Sequence, residues 1–176
     1  MAVRLVIDGY NLVAALWGMG TSARELERQR AEMIRMLARY REQRPHPIHV
    51  VWDGWKDGDP MGSRTVDHGI RVTFSPKGIT ADEVIRDLLA ESDRVSGTVV
   101  VTSDRTVQGW ARSAGAESVE SWSFVDRLTL AGAEGVNPEA EGEAEDEVWS
   151  GDTRKKGNPR RASRRKKAVE RQLKKL

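Results

Sequence analysis

Val3-Arg4-Leu5-Val6-Ile7-Asp8-Gly9 is the stretch of sequence that decides the fold. It is apolar and rich in β-branched residues up to Ile7, which is the composition of a buried β-strand. The run stops abruptly at the carboxylate of Asp8, and Gly9 then allows the backbone to turn sharply. The sequence therefore predicts a strand that carries an acidic side chain at its carboxyl end.

Two later runs repeat this pattern. The apolar run at Ile48–Trp52 leads directly into Asp53, and the run at 99–103 leads directly into Asp104. Ligands of an open parallel sheet bind beyond the carboxyl ends of its strands. Parallel strands would therefore place three carboxylates at one edge of the sheet.

A fourth acid, Asp82, lies where a helix should begin, because Thr80 and Glu83 form a capping box around it. Each of the four acids has an ordinary explanation as a helix cap or a turn residue. Four of them at one end of one sheet are harder to explain by chance. Carboxylates gathered without bases repel one another unless a cation such as Mg²⁺ neutralises them. The pattern indicates a metal-dependent phosphoryl-transfer or nuclease site.

The elements alternate along the chain in the order β-α-β-β-α-β-α-β-α. This order predicts a three-layer α/β fold around a mostly parallel sheet of about five strands. Segments 9–21 and 54–69 are expected to be loops. The strands are expected at 3–7, 48–52, 70–74, 98–102 and near 117–121. A long helix is expected to begin at Ser22, which forms a capping box with Glu25, and to stop before the prolines at 45 and 47. Further helices are expected after Thr80, over about 104–114 and from about 123 to 131.

Composition narrows the class of protein. The chain has no cysteine, so disulfides and thiolate zinc sites are excluded. No apolar run approaches the roughly 20 residues of a membrane helix. The N-terminus has no basic stretch followed by an apolar one, so no signal peptide is expected. We expect a cytoplasmic protein that does not enter a membrane.

The net charge of +2 conceals a strong asymmetry. Residues 154–176 contain 12 Lys and Arg against one Glu, which gives +11, whereas residues 134–152 contain 8 acids and no base, which gives −8. Such segregation is typical of an interaction tail. We therefore expect a folded domain at 1–131, a disordered acidic linker at 132–153, and a basic tail at 154–176 that contacts nucleic acid and is helical near its end.

Other catalytic patterns are poorly represented. No Gly-rich loop ends in Lys-Ser or Lys-Thr, and no Gly-x-Ser-x-Gly elbow is present. Asp8 is not followed two residues later by a second Asp, which disfavours an aspartyl-phosphate phosphatase. His46, His49 and His68 are scattered without ligand spacing, so we expect structural or surface roles for them.

Four short motifs, taken together and in this order, resemble the NYN domain in its YacP-like branch, within the wider PIN-like ribonuclease group. The resemblance covers about residues 3–131. Asp8, Asn11, Asp53, Asp82 and Asp104 match the family's motif positions. The motifs are Ile7-Asp8-Gly9-Tyr10-Asn11, Val51-Trp52-Asp53-Gly54, Thr80-Ala81-Asp82-Glu83 and Val101-Thr102-Ser103-Asp104-Arg105.

The resemblance implies a PIN-like fold, a divalent metal and hydrolysis of RNA phosphodiester bonds. The branch includes a ribosome-associated endoribonuclease that cuts messenger RNA. We therefore expect an endoribonuclease whose partners are RNA and the ribosome. Its cofactor is expected to be Mg²⁺ or Mn²⁺, which can bind a phosphate oxygen and activate a water.

Roles for individual residues follow from this expectation. Asp8, Asp82 and Asp104 are the expected metal ligands, and Asp53 is either a fourth ligand or the group that orients a bound water. Glu83 is better interpreted as part of the capping box than as a ligand. The expected contacts to RNA, or to the side chains behind the metal ligands, come from Asn11, Ser103 and Arg105.

Aromatic side chains fall into two groups. Tyr10, Trp17 and Trp55 lie in the predicted loops beside the site, where they could stack on RNA bases. Trp52 and Trp110 are expected in the core.

Two alternatives stay open at this point. In the first, the chain is a non-catalytic RNA- or ribosome-binding module in which the acids serve only as caps. In the second, it is a DNA flap nuclease of related architecture. The second is weaker because nothing in the sequence resembles a helical arch or a helix-hairpin-helix.

Overall fold

The computed structural model describes residues 3–54, 61–92 and 95–134. Several predictions fall outside this range and are not tested by it. They are the stacking role of Trp55, the basic tail at 154–176, and nearly all of the acidic linker at 132–153.

A six-stranded sheet forms the centre of the molecule, with the strand order β3-β4-β2-β1-β5-β6. Every neighbouring pair is parallel except β3 and β4, which form an antiparallel hairpin. The strands are β1 (Arg4–Asp8), β2 (Ile48–Trp52), β3 (Ser63–Asp67), β4 (Ile70–Phe74), β5 (Thr98–Val101) and β6 (Glu117–Val119).

In the described part of the chain, five helices cover the two faces of this sheet, so the predicted three-layer α/β architecture is confirmed. One face packs against α1, α2 and α5, and the other packs against α3 and α4. The helices are α1 (Gly9–Trp17), α2 (Ala23–Gln43), α3 (Ala81–Ala90), α4 (Arg105–Ala114) and α5 (Ser121–Glu134). A 3₁₀ turn at Val95–Gly97 precedes β5.

The position of β1 between two layers of helices explains why its sequence is apolar without interruption. Leu5 and Ile7 point into the core under α1, α2 and α5, whereas Val6 points into the core under α3 and α4. All three side chains are completely buried. A strand with helices on both faces has no solvent-facing side and therefore no polar alternation.

The segment after Asp8 is a helix, so the prediction of a loop over residues 9–21 was wrong for its first nine positions. The Asp8 side chain caps α1 by accepting the backbone N–H of Asn11. Gly9 and Asn11 are common in turns, and this composition obscured the helix in the sequence. Gly9 is needed because the first turn of α1 lies directly on the ring of Trp52.

The predicted loop over residues 54–69 contains a strand, β3, which was also missed. All five of its residues are exposed, so the strand has no apolar alternation by which to recognise it. His68 and Gly69 join β3 to β4 with positive φ angles of 49° and 75°. Such two-residue turns match the twist of a hairpin.

The predicted helix caps are largely confirmed. The Thr80 hydroxyl accepts the N–H of Glu83, and the Glu83 carboxylate accepts the N–H of Thr80, which completes the capping box. At α2, Ser22 accepts the N–H of Glu25 as predicted. The Glu25 carboxylate, however, accepts the N–H of Thr21 and not that of Ser22.

No helix in the described part of the chain is both long and apolar enough to cross a membrane.

We expect Gly9→Ala to lower the free energy of unfolding by about 1–3 kcal/mol, because its Cβ would overlap the buried Trp52 ring. Gly109→Ala is the matched control. Gly109 lies inside α4 with open space at its Cβ position, so alanine should be neutral or slightly stabilising there. Urea unfolding of both variants tests the pair, and equal stability of the two would contradict this account of α1 packing.

Candidate active site

Four carboxylates lie at the carboxyl edge of the sheet, the position that the sequence pattern predicts. Asp8 is the last residue of β1, and Asp53 directly follows β2. Asp82 is the second residue of α3, and Asp104 caps the N-terminus of α4. Because β1, β2 and β5 are parallel and neighbouring, the loops that follow them open on the same side.

Asp8 is the most buried of the four acids, with 4% of its surface exposed. Its Oδ2 accepts a hydrogen bond of 2.6 Å from Asn11 Nδ2 and one of 3.1 Å from the Thr102 hydroxyl. Its Oδ1 accepts the backbone N–H of Asn11 at 3.3 Å. Three donors from two elements therefore fix the orientation of this carboxylate.

Burial raises the pKa of Asp8 from its ordinary value of 3.8 to about 6. The hydrogen bonds from Asn11 and Thr102 favour the ionised form and oppose this shift, while the negative charge of Asp82 adds to it. The folded protein therefore resists ionising Asp8, even though three donors surround the side chain.

The pKa of Asp82 is also raised, first by burial and then by the charges of Asp104, Asp53 and Glu83. Within the described residues, the Asp82 side chain has neither a hydrogen bond nor an ion pair. Its electrostatic neighbours are all acids. Asp82 is thus the point at which the negative charge of the edge is least compensated.

Thr102 connects two of the acids and was not recognised from the sequence. Its hydroxyl donates to Asp8 Oδ2 and accepts the backbone N–H of Asp104, at 3.1 Å in each case. The Asp104 carboxylate in turn uses Oδ1 to accept the N–H groups of Thr106 and Val107. A polar residue at the end of a Val-rich strand was the available signal.

Asp53 is half-buried in the loop that follows β2. Its neighbour Gly54 donates a backbone hydrogen bond of 3.0 Å to the Ser75 hydroxyl. A side chain at position 54 would overlap the Ser75 carbonyl, so the two loops approach each other closely here. This contact positions Asp53 within electrostatic range of Asp82.

Of the remaining predicted residues, some hold other side chains or backbone groups by hydrogen bonds, and one is exposed to solvent. The Asn11 side chain holds Asp8, and the Ser103 hydroxyl accepts the N–H of Ser121. Glu83 belongs to the capping box as predicted, and the hydrogen bonds that its carboxylate accepts from Thr80 lower its pKa. Arg105 is exposed at the first position of α4.

A polar cleft of about 470 Å³ lies beside Asp104. Arg105, Gln108 and Arg112 recur at helical spacing and line it from one face of α4. Trp122 lines it from α5 with 58% of its surface exposed, and its indole N–H donates to Glu120. Arg112 and Trp122 were not recognised from the sequence, where nothing shows that α4 and α5 share a cleft.

Tyr10 and Trp17, two of the predicted stacking residues, lie on α1 and not in a loop. The Tyr10 ring packs edge-to-face on Trp52 at 5.0 Å, and its hydroxyl accepts a hydrogen bond from Arg30. Trp17 is 44% exposed but occupies the far end of α1, about 12 Å along the helix from the site. The core position predicted for Trp52 is confirmed, and Trp110 is partly buried against α3.

The donor set suits a hard cation, since it consists of carboxylate oxygens. Asp82 in particular has only like charges around it. Across residues 3–54, 61–92 and 95–134, however, no three His, Asp or Glu side chains already stand close enough to hold an ion. An ion held by three of these side chains would therefore require the carboxylates to move closer together.

Comparison with known proteins agrees with the fold. The uncharacterized protein YacP of Bacillus subtilis (strain 168) is 30% identical over 110 residues, which are 61% of this chain and 63% of that protein. The crystal structure of Rae1 (YacP) from Bacillus subtilis superposes with a TM-score of 0.62 at 25% identity, over 74% of this chain and 76% of that one. A point mutant of the same protein superposes with a TM-score of 0.63, over 76% and 79% of the two chains.

The match to the family extends beyond the part that the four motifs cover. The family model described as the YacP-like NYN domain matches residues 5–175, whereas the residue-by-residue resemblance ends near residue 131. The acidic and basic segments thus lie inside the matched range. Because the match spans nearly the whole sequence, the chain belongs to the family of YacP-like NYN domains.

Proposed function

We propose that this chain is a divalent-metal-dependent ribonuclease that hydrolyses RNA phosphodiester bonds, as an endoribonuclease acting on messenger RNA at the ribosome. The observation that carries the proposal is the environment of Asp82. A half-buried carboxylate that lacks a hydrogen bond and an ion pair among the described residues, and that feels the charges of Asp104, Asp53 and Glu83, is unfavourable unless a cation joins it. Membership of the NYN family supports nuclease chemistry at this edge.

Asp8, Asp82 and Asp104 would hold the ion. Bound Mg²⁺ or Mn²⁺ would polarise a phosphate oxygen and lower the pKa of an attacking water. Asn11 and Thr102 keep the Asp8 carboxylate in one orientation. Asp104 keeps Oδ2 available because its two capping bonds use Oδ1.

Other side chains would act on the RNA directly. Asp53 would accept a hydrogen bond from the attacking water and so orient it. Arg105 and Arg112 would bind phosphates on the cleft side of the site, and Arg105 would stabilise charge that develops on the phosphoryl group. Trp122 offers an exposed ring on which a base can stack.

A second candidate function is non-catalytic RNA or ribosome binding. The observation that favours it is the absence of a ready-made metal cluster in the described part of the structure. In a binding module of this kind, the four acids would serve only as helix caps and loop residues. The two functions differ in whether Asp8 is needed for saturable metal binding.

Asp8→Asn and Asp104→Asn should each slow RNA cleavage in Mn²⁺ by at least about 100-fold while leaving the protein folded. Asparagine is as good a helix cap as aspartate, so the second change tests chemistry separately from capping. Labelled single-stranded RNA under single-turnover conditions gives the rate, and Mn²⁺ titration calorimetry gives the binding.

Asp87→Asn is the matched control, because Asp87 is an exposed acid on α3 away from the edge. It should cleave and bind Mn²⁺ like the unmodified chain. Full activity in both edge variants at matched folding would assign the acids to structure and favour the binding module.

The metal-free protein should lose stability as the pH rises from about 4 to about 7. Asp8 ionises near pH 3.8 in the unfolded chain and only near 6 in the folded one, so the folded state binds its proton more tightly. The loss begins above the unfolded pKa and is complete above the folded one. At 1.36 kcal/mol per pKa unit it amounts to about 3 kcal/mol.

Asparagine at position 8 cannot ionise, so the stability of the Asp8→Asn variant should decline less over the same pH range. Asp82, whose pKa is also raised, stays in both proteins and contributes a decline to each. Urea unfolding in EDTA at several pH values measures the difference. Parallel curves for the two proteins would show that Asp8 ionises as easily when folded as when unfolded.

The basic tail should supply affinity for RNA. Phosphate contacts by its 12 Lys and Arg would release counterions, so affinity should fall with salt with a slope of about −0.7 per phosphate on a single strand. Deleting residues 154–176 should weaken binding and flatten that slope. Anisotropy titrations across a salt series test this, and equal slopes for full-length and shortened chains would make the tail a solubilising segment.

A further inference from the structure

A second charged surface lies on the same face of the sheet as Asp8. Helix α3 packs over β1 and β2, and beyond it the hairpin of β3 and β4 has an open face. A basin of about 420 Å³ occupies this position. Its charged lining, which we call the arginine basin, consists of Arg4, Arg64 and Arg71, with His49 beside them.

Strand register explains how the basin forms. His49 of β2 pairs with Arg71 of β4, and Arg71 pairs with Val66 of β3. Arg64 pairs with Thr73 two residues further along the same two strands, and therefore on the same face. Paired residues point to the same face of a sheet, so side chains from separate strands meet here.

The arginines of the basin have no acidic partners among the residues that the structure describes. In the described parts of the chain, none of Arg4, Arg64 and Arg71 forms an ion pair, and Arg4 donates one hydrogen bond of 3.3 Å to the Ser92 hydroxyl. On the helices, by contrast, Arg35 and Arg86 each lie beside a carboxylate. Within the described residues, no carboxylate therefore neutralises the three positive charges of the basin.

His49 adds a polar group but no charge. It is 7% exposed, and burial, then the charges of Arg4, Arg71 and Arg64, lower its pKa to about 4. Its Nε2 forms a hydrogen bond of 2.8 Å with the Thr73 hydroxyl, while its Nδ1 has no partner among the described residues. The neutral ring allows three guanidinium groups to share this small surface.

We infer that the arginine basin binds phosphate groups of the RNA strand whose scissile bond lies at the acidic edge. This inference rests on the proposed function. From β1 to β3 the basin crosses three inter-strand spacings, about 14 Å, which exceeds the reach of one phosphate. Guanidinium groups are suited to phosphate because they donate paired hydrogen bonds.

The basin lies where an RNA strand bound at the acidic edge of the sheet would continue. Arg4 and Asp8 point to the same face of β1, four residues and about 13 Å apart. An RNA strand at the acidic edge can therefore extend along this face to the arginines. The acids would carry the chemistry, and the basin would hold the flanking phosphates.

RNA binding by Arg64→Gln/Arg71→Gln in the full-length chain tests the inference. Both side chains are exposed, so the fold should be kept, and equal melting temperatures check this. In EDTA, the affinity for single-stranded RNA should fall on the order of ten-fold at about 0.1 M salt. The salt slope should become less steep by about 1.4, which corresponds to two lost phosphate contacts.

Arg35→Gln/Arg39→Gln is the matched control, since it removes the same charge from α2 on the opposite face of the sheet. Its affinity and slope should stay close to those of the unmodified chain. Arg64→Lys/Arg71→Lys should recover the slope, because lysine keeps the charges. Equal affinity and slope for the two glutamine pairs would overturn the inference.

The imidazole NMR signals of His49 give a second readout. Adding inorganic phosphate or RNA should shift them in the unmodified chain but not in Arg64→Gln/Arg71→Gln. His46 serves as the internal reference, because it lies apart from the basin and accepts the N–H of Val3. A shift with polyglutamate but not with phosphate or RNA would assign the basin to an acidic protein segment and overturn the inference.

RNA cleavage, measured separately, distinguishes the two proposals. If the unmodified chain cleaves RNA while the basin variant binds like its control, the basin inference fails and the proposed function stands. If the chain does not cleave RNA but the basin variant loses affinity, the function fails and the basin stands as an RNA-binding surface.

Discussion

The hydrogen bonds to the buried Asp8 carboxylate link the central strand to the elements around it. The Asn11 backbone N–H ties the carboxylate to the start of α1, and the Thr102 hydroxyl ties it to the end of β5. That hydroxyl also accepts the N–H of Asp104, which places the start of α4. One carboxylate is thus connected to two helices and a neighbouring strand. Burying such a group costs free energy unless donors compensate it, and here the donors belong to the elements that must be positioned.

The charges of the domain are sorted along one face of the sheet. Acids gather where the parallel strands end, whereas arginines without an ion pair among the described residues lie at the start of β1 and on the hairpin of β3 and β4. Helix pairs such as Arg35 with Glu32 neutralise themselves locally, whereas these two groups do not. A domain that is nearly neutral in total can therefore present a strong field on one face. That field is negative at the acidic edge and positive at the arginine basin.

Much of this arrangement could be predicted from the sequence because parallel strands obey a simple rule. Each apolar run ends in an acid, and parallel strands bring those ends together, so the edge containing Asp8, Asp53 and Asp104 follows without coordinates. The helix α1 could not be predicted, since its cap is the last residue of a strand and its first residues favour turns. The strand β3 carries no periodic signal because it is exposed along its whole length. The basin and the Thr102 bridge depend on register and rotamer, which pattern analysis does not determine.

The two outer strands of the described sheet have consequences for association between copies of the chain. An outer strand offers unpaired backbone groups to any other extended segment, and this is a common route to aggregation. At one side β6 is only three residues long, which is too short to template a stable addition. At the other side β3 carries Arg64 and Asp67, charges that an incoming strand would have to desolvate. One edge is therefore limited by its length and the other by its charge, and both features make the addition of a further strand less favourable.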